Sequence, residues 1–296
     1  MRKQKFPLKR FQHVPALCSY DGLVLLKSHT AYKSYALWNP YTNEYRIFDC
    51  QYVKAYSCTS PYACGFCYDP SVDDYKVILI YKSFYAICYA SKNDHWMTGT
   101  SVHVQELNAR SRECIQGISV EGRVYWSLDW KINHFVCRNS KIIYFDAKSD
   151  ELNELPKLDF ICENDQLYRL TSLKGRIGLF GGKNGSKGFD VWIMEQDGWK
   201  LLMNISCDAL CEHFVEYSVL LGYTNHDEIL FQMGIGLQYF VIYDPQLHRF
   251  KKIQISKDSK HYIVPICSES LYFPKPNITH NTRKRKQRTQ LKKVIL

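Results

Sequence analysis

The 296-residue chain contains no run of eighteen apolar residues, so no membrane-spanning helix is expected. The basic start, Met1 to Arg10, is not followed by an apolar signal core. The protein is therefore expected in the cytosol or nucleus, with its 12 cysteines as reduced thiols. Without secretion, Asn204-Ile205-Ser206 and Asn277-Ile278-Thr279 have no role as glycosylation acceptors. Helical patterning is also lacking: no amphipathic stretch of twelve or more residues stands out, and Cys207 to Gly222, whose period is ragged, reads as a loop or a short helix. Acidic residues are missing from both ends. Residues 1–20 hold five Lys or Arg, residues 274–296 hold eight, and neither stretch has an Asp or Glu. The net charge of +10 thus sits in the ends; the remainder has 26 basic and 29 acidic residues, about −3. A body of that charge is not a polyanion-binding surface.

Catalytic signatures are absent too. None of the ten histidines forms a tight metal spacing, and no serine sits in a nucleophile-elbow pattern. His95, His134, His213 and His226 fall in expected loops. Gly181 to Gly188 is glycine-rich but lacks the phosphate-loop spacing, and a strand-like stretch follows it, so it reads as a hairpin tip. Cys64 and Cys67 form a C-x-x-C, yet only Cys207 and Cys211 offer another close pair, at a less typical zinc spacing. They read as small buried strand residues. No catalytic, cofactor-binding or metal-ligating residue is expected.

What is abundant is aromatic and apolar residues: 46% hydrophobic, 15% aromatic, 22 Tyr. They alternate over four to eight positions between turn residues, the mark of many short strands. A hairpin motif recurs: an apolar strand ends in Asx or Glu, and an aromatic or apolar residue opens the next strand four to six residues later. It appears at Leu37-Trp38-Asn39-Pro40 with Tyr45, at Tyr68-Asp69-Pro70 with Tyr75, and weakly at Glu106 to Arg112. It continues at Phe145-Asp146 with Leu152, Met194-Glu195 with Trp199, and Tyr243-Asp244-Pro245 with Phe250. Asx side chains cap such turns and Pro pre-sets φ. A second element alternates with it, a turn leading into an apolar strand, at Asp21-Gly22, Glu121-Gly122 and Lys174-Gly175, and more weakly at His226 to Phe231 and Ser268 to Phe273. Residues 21 to 273 span 253 positions, about 42 for each of six units. The pattern predicts an all-β protein, a single β-propeller of about six blades of antiparallel four-stranded sheets. A β-sandwich or two small β domains share this spacing.

These residues resemble a family. Leu37-Trp38-Asn39-Pro40-Tyr41-Thr42-Asn43-Glu44-Tyr45 resembles the "LWNPxTxxY" signature of plant F-box-associated domains. The block Gly65-Phe66-Cys67-Tyr68-Asp69-Pro70-Ser71-Val72-Asp73-Asp74-Tyr75-Lys76-Val77 resembles their "GFGYDPxxDDYKV", with Cys67 where a glycine usually stands. Gly122-Arg123-Val124-Tyr125-Trp126 is similar to "GxxYW". Ile143 to Asp146 with Leu152 to Pro156, Trp192 with Met194, and Glu269-Ser270-Leu271 follow in the family's order. The resemblance runs from about Ser19 to Pro274. It departs at the third hairpin, where Arg112 or Glu113 falls in place of a Trp.

The resemblance implies a kelch-like interaction domain, the substrate-recognition part of an SCF-type ubiquitin ligase receptor, and not an enzyme. Gly22 and Asp244 join the residues quoted as structural signature positions. Such receptors begin with a helical F-box that docks a Skp adaptor; residues 1–18, short, Lys-rich and interrupted by Pro7 and Pro15, do not resemble one. The expected organisation is a basic extension at 1–18, a propeller at 19–274 and a basic disordered tail at 275–296. No adaptor binding is expected without the F-box. The partner is an unnamed protein, and the domain a monomer that binds no membrane. Tyr52, Tyr56, Tyr62, Trp96 and Trp130 are candidate partner anchors. Trp38, Tyr68, Tyr125, Trp126, Trp192 and Tyr243, which flank the turns, are expected in the core. Arg283-Lys284-Arg285-Lys286 with Arg288 reads as a nuclear-import-like or phosphate-contacting cluster, or as a solvated terminus. An enzyme on a propeller scaffold and a basic-tailed nucleic-acid binder are the alternative functions.

If the cysteines are strand residues and not ligands, a chelator such as EDTA should leave the melting temperature unchanged. Stoichiometric zinc in the purified protein, lost together with folding, would contradict that expectation.

Overall fold

Paired positive-φ residues set the hairpins. Asp21 and Gly22 have φ of 49° and 76°, Glu121 and Gly122 46° and 75°, Lys174 and Gly175 48° and 74°. Two such residues in succession make the two-residue turn whose twist matches antiparallel strands. In a computed structural model these turns open three of five small sheets. The structure describes residues 9–254 except 12–13, 15, 29–30, 32, 53–60, 82–83, 90–95, 101–113, 128–135, 137–139, 157, 159, 162–165, 184–185, 187, 197, 207–217, 225 and 234–238.

The first sheet is β1 (Ala16–Tyr20), β2 (Leu23–Lys27), β3 (Ser34–Trp38) and β4 (Tyr45–Asp49). The second has β5 (Ala63–Asp69), β6 (Asp74–Ile80), β7 (Tyr85–Tyr89) and β8 (Trp96–Gly99), with a short β9 (Ile115–Gln116) added parallel to β5. The third is β10 (Ile118–Val120), β11 (Arg123–Ser127), β12 (Ile142–Asp146) and β13 (Glu151–Glu154). The fourth is β14 (Gln166–Leu173), β15 (Arg176–Lys183), β16 (Gly188–Glu195) and β17 (Gly198–Ser206). The fifth is β18 (Ser218–Tyr223), β19 (Ile229–Met233), β20 (Tyr239–Asp244) and β21 (Arg249–Gln254). In all five the four main strands follow chain order as an antiparallel meander. The opening strands of successive sheets touch, β1 against β5, β5 against β10, β10 against β14 and β14 against β18. The sheets are therefore propeller blades with their first strands innermost. A meander places the turns after its first and third strands at one end, here the turn end, and the longer connections at the other.

Each boundary between blades has its own hydrophobic cluster. Leu25, Leu37, Phe66 and Leu79 fill the first boundary, and Ile78, Ile87, Trp126 and Phe145 the second. Tyr125, Tyr168 and Leu179 fill the third, and Phe180, Val191 and Phe231 the fourth. The other face of the first blade buries Val24, Leu26 and Trp38 beneath Phe11 and Val14. Phe11 belongs to a 3-10 turn, Lys9–Phe11, and is 2% exposed. Part of the stretch expected as a basic extension thus packs on the first blade, because apolar residues are interspersed among its lysines, and β1 starts inside it at Ala16.

Several expectations need correction. The blades start at Ala16, Ala63, Ile118, Gln166 and Ser218, intervals of 47, 55, 48 and 52 residues, longer than the expected 42. The Asp69-Pro70 motif closes the first hairpin of its blade, not the last, so the spacing of the motifs does not measure the spacing of the blades; Glu106 to Arg112 lies outside the described residues. The blades number five among the described residues, and the sixth unit's Ser268 to Phe273 lies outside them. The ragged stretch ending at Gly222 closes in a strand, β18, whose Ser218 and Leu220 face inward. Trp38, Tyr125, Trp126 and Tyr243 are buried as expected, whereas Tyr68 and Trp192 are only half-buried. Tyr68 keeps its hydroxyl at the surface to donate to Asp73, and Trp192 lies under Phe160, stacked at 4.0 Å.

Two glycines permit a close approach between the second and third blades. A Cβ on Gly65 would stand 2.4 Å from Val124 Cγ1 and 3.1 Å from the Trp126 ring; on Gly117 it would stand 2.4 Å from the same Cγ1 and 2.7 Å from Trp126 Nε1. The fully buried Trp126 lies against both and donates its indole N–H to the Cys64 carbonyl at 3.0 Å. Gly65→Ala should therefore cost about 1–3 kcal/mol through overpacking. Urea unfolding of this variant checks the register of β5, and wild-type stability would contradict it.

Candidate functional site

The recurring Asx residues do the same work in four turns. Asn39 Oδ1 accepts from the Tyr41 and Thr42 amides at 2.8 and 3.1 Å. Asp69 Oδ1 accepts from the Ser71 amide at 2.9 Å, and Asp146 Oδ1 from the Lys148 amide at 2.9 Å. Asp244 Oδ1 accepts from the Gln246 and Leu247 amides at 2.8 and 3.1 Å. Each side chain replaces a backbone acceptor, so the chain reverses without orphaned amides.

At the boundary of the second and third blades the turns gain a further constraint. Every residue of β6 is buried, including Asp74 and Lys76. The Lys76 ammonium, on a side chain only 3% exposed, lies 2.8 Å from Asp69 Oδ2 of its own blade and 2.6 Å from Asp150 Oδ1 of the next. It also donates to the Ala147 carbonyl and sits 4.9 Å above the Tyr89 ring. Asp150 has φ of 59° at the β12–β13 turn. Its carbonyl accepts from the Tyr85 hydroxyl at 3.1 Å and its Oδ2 from Tyr89 at 3.4 Å. Burial alone would raise the Asp69 carboxyl, but hydrogen bonds from Lys76 and Ser71 outweigh it and hold the group below the usual carboxylate range. Burial would likewise lower Lys76, yet bonds to Asp150, Asp69 and Tyr89 raise it above an ordinary lysine. On the other side, Tyr75 donates to the Asp21 carboxylate of the first blade.

Above Lys76 the turns border a cleft of about 600 Å³, lined by Asp69–Ser71, Val120–Arg123, Tyr125 and Asp146–Lys148. Arg123 Nε donates to Asp146 Oδ2 at 2.8 Å, and its guanidinium lies 5.2 Å above the Tyr144 ring. The charged residues of the lining are Asp69, Glu121 and Asp146 against Arg123 and Lys148. The cleft floor and walls include Val120, Pro70, Ala147 and the Tyr125 ring.

Five signature residues, Asp69, Pro70, Gly122, Tyr125 and Asp146, line this cleft. Lys76 bonds to its lining at Asp69 and Ala147, with Asp74 and Tyr75 buried on the same strand; Gly65 and Trp126 pack at the boundary of the second and third blades, and Phe66 at that of the first and second. Gly22, Leu37, Trp38, Asn39, Pro40 and Tyr45 belong to the first blade, Trp192 and Met194 to the fourth and Asp244 to the fifth, away from the cleft. Glu269, Ser270, Leu271 and the basic cluster Arg283, Lys284, Arg285, Lys286, Arg288 lie outside the described residues, as do Tyr56, Trp130, His95, His134, His213, Cys207 and Cys211. Of the expected anchors, Tyr52 is exposed and Tyr62 half-buried. Trp96 is a core residue, 3% exposed and edge-on to Phe48 at 5.9 Å. Cys64 and Cys67 face opposite sides of β5, toward the first and third blades, and cannot share one ion. Asp150 and Arg123 escaped the sequence reading; a turn acid four residues beyond Asp146 was the available signal.

The sequence profile of the F-box associated beta propeller domain matches residues 3–275. The chain belongs to that family. An F-box/kelch-repeat protein of Arabidopsis thaliana is 27% identical over 197 residues, 62% of this chain and 50% of the relative. A second Arabidopsis thaliana F-box protein is 25% identical over 185 residues, 58% of this chain and 45% of the relative. The chain spans about half the length of these curated relatives. Among solved structures, Aleuria aurantia lectin, a six-bladed β-propeller, aligns at 11% identity over 84% of this chain and 80% of its own, with a TM-score of 0.44.

In this F-box associated propeller, Lys76→Met should cost about 3 kcal/mol at pH 7, because it strands Asp69 and Asp150 without their cation. The pH response should also change sign. In the wild type Asp69 is held low, so its contribution is complete above about pH 4 and is lost as pH falls through the lowered value. In the variant, burial without the ammonium raises that carboxyl, so the deficit should shrink as pH falls toward 4. Urea unfolding at the two pH values measures both effects. A deficit that is constant or grows on acidification would rule out the buried pair as its source.

Proposed function

We propose that this domain recognises a protein substrate for an SCF-type ubiquitin ligase, acting by binding and not by catalysis. Its membership of the F-box associated propeller family carries the reading. The F-box relatives from Arabidopsis thaliana support the same class of role. The turn-end cleft between the second and third blades is the docking place we assign to the substrate. Its walls are short turns held by side-chain hydrogen bonds and a buried ion pair, so little ordering entropy is lost on binding. The mixed apolar and charged lining favours a peptide segment over a polyanion. The described residues contain no helix beyond the turn Lys9–Phe11, and we propose that adaptor docking requires a helical segment supplied separately.

Residues 1–296 alone should therefore retain no recombinant Skp-type adaptor in a pull-down, while a fusion behind the F-box of an Arabidopsis relative should retain it one to one. Expressed in Arabidopsis cells, that fusion should lower the abundance of specific proteins, and a proteasome inhibitor should restore them. A fusion that holds adaptor and cullin yet changes no protein level would count against the receptor reading. Stable adaptor capture by the unfused chain would place an adaptor contact on the propeller itself.

A further inference from the structure

A group of thiols meets at the inner side of the first and second blades. Cys18 on β1 and Cys64 on β5 are buried in one cluster, and Cys114, the residue before β9, packs against it only half-buried. β5 and β9 run parallel with Cys64 opposite Gln116; the Ile115 amide donates to the Tyr62 carbonyl at 2.7 Å and the Gly117 amide to the Cys64 carbonyl at 2.8 Å. Alternation along a strand puts Cys114 on the same face as Gln116, and so on the face of Cys64. The Cys114 thiol donates to the Ile115 carbonyl at 3.9 Å, and the Lys27 amine at the end of β2 is close enough to act electrostatically on both Cys64 and Cys114. The Tyr35 hydroxyl of β3 is a further titratable group near them.

We propose that Cys64 and Cys114 form a reversible disulfide when the protein meets a peroxide-type two-electron oxidant. Cys114 is the point of entry because it alone of the three thiols reaches the surface. Its sulfur attacks one peroxide oxygen, the O–O bond breaks, and a sulfenic acid and one water form. The Cys64 sulfur then attacks the sulfenic sulfur, the S–O bond breaks, and a second water leaves. The two sulfurs lose two electrons to the peroxide, and the thiol protons end in water.

The neighbours set the rate. Cys114 stands above the usual thiol range because of the adjoining Cys64 thiol and then its burial. For Cys64 the Cys114 thiol pulls downward, but the Cys18 thiol and burial outweigh it. Lys27 favours both thiolates without reversing the balance. Thiolate is therefore scarce at neutral pH, and linkage should accelerate with rising pH.

The test exposes the folded full-length chain to hydrogen peroxide, alkylates the remaining thiols in denaturant, and maps the peptides by mass spectrometry. The expected product joins the Cys64 and Cys114 peptides, is reversed by dithiothreitol, and forms about tenfold faster at pH 8 than at pH 7. Cys114→Ser should leave Cys64 fully alkylatable. Recovery of Cys114 as sulfinic or sulfonic acid beside a free Cys64 thiol, or of Cys64 joined to Cys18, would overturn the proposal.

Discussion

The ammonium of Lys76 lies out of water between two carboxylates from different blades, Asp69 at 2.8 Å and Asp150 at 2.6 Å. An isolated charge in that position would cost several kcal/mol. Lys76 can occupy β6 only if both turns hold their shapes, and the turns in turn are positioned by its donors. The pair is thus less a source of stability than a condition on geometry: replacing it with apolar residues of matched volume could leave stability unchanged. What such a swap would lose is the registry of the Asp69–Asp74 turn against the Asp146–Glu151 turn, and with it the cleft above. The same boundary depends on Gly65 and Gly117, which let Trp126 approach the second blade closely enough to reach the Cys64 carbonyl.

The other boundaries are held differently. Between the first and second blades the turn-end tie is a tyrosine hydroxyl on Asp21. Between the fourth and fifth it is an exposed pair, Lys174 to Asp227 at 3.0 Å, with the lysine 4.5 Å above Tyr223. An exposed pair of that kind contributes at most about 1 kcal/mol and weakens with salt. These two boundaries also have buried ties, but neutral ones, Tyr35 to Tyr81 and Thr171 to the Leu220 carbonyl; among the described residues the buried ion pair across blades is at the cleft.

The fold was legible because its devices are local. The pairs Asp21-Gly22, Glu121-Gly122 and Lys174-Gly175 announce hairpins by their required φ, and Asn39, Asp69, Asp146 and Asp244 announce turns by their side-chain acceptors. Local devices do not reveal rank within a blade. Asp69-Pro70 resembles the third turn of a blade and is the first, because both turns need the same chemistry. The site was less legible. Nothing local in Asp74-Tyr75-Lys76-Val77 signals a buried lysine: Asp69 of its own blade supplies one carboxylate, and Asp150 of the next blade, 74 positions away, supplies the other. Trp96, expected as a partner anchor, instead opens β8 and reaches Phe48 of the first blade. Contacts across blades have no period in the sequence, so Trp126 could be read as buried but its partners in the neighbouring blade, Gly65 and the Cys64 carbonyl, could not.

One buried cation couples the second and third blades, and this coupling shapes the cleft above it. A double-mutant cycle on Lys76→Met and Asp150→Asn, read by equilibrium urea unfolding, measures it directly. Since each partner exists in its position because of the other, the double variant should be more stable than the sum of the single losses implies, by about 1–3 kcal/mol. Losses that add to within about 0.5 kcal/mol would mean that the two residues act independently, and the account of the boundary would be wrong.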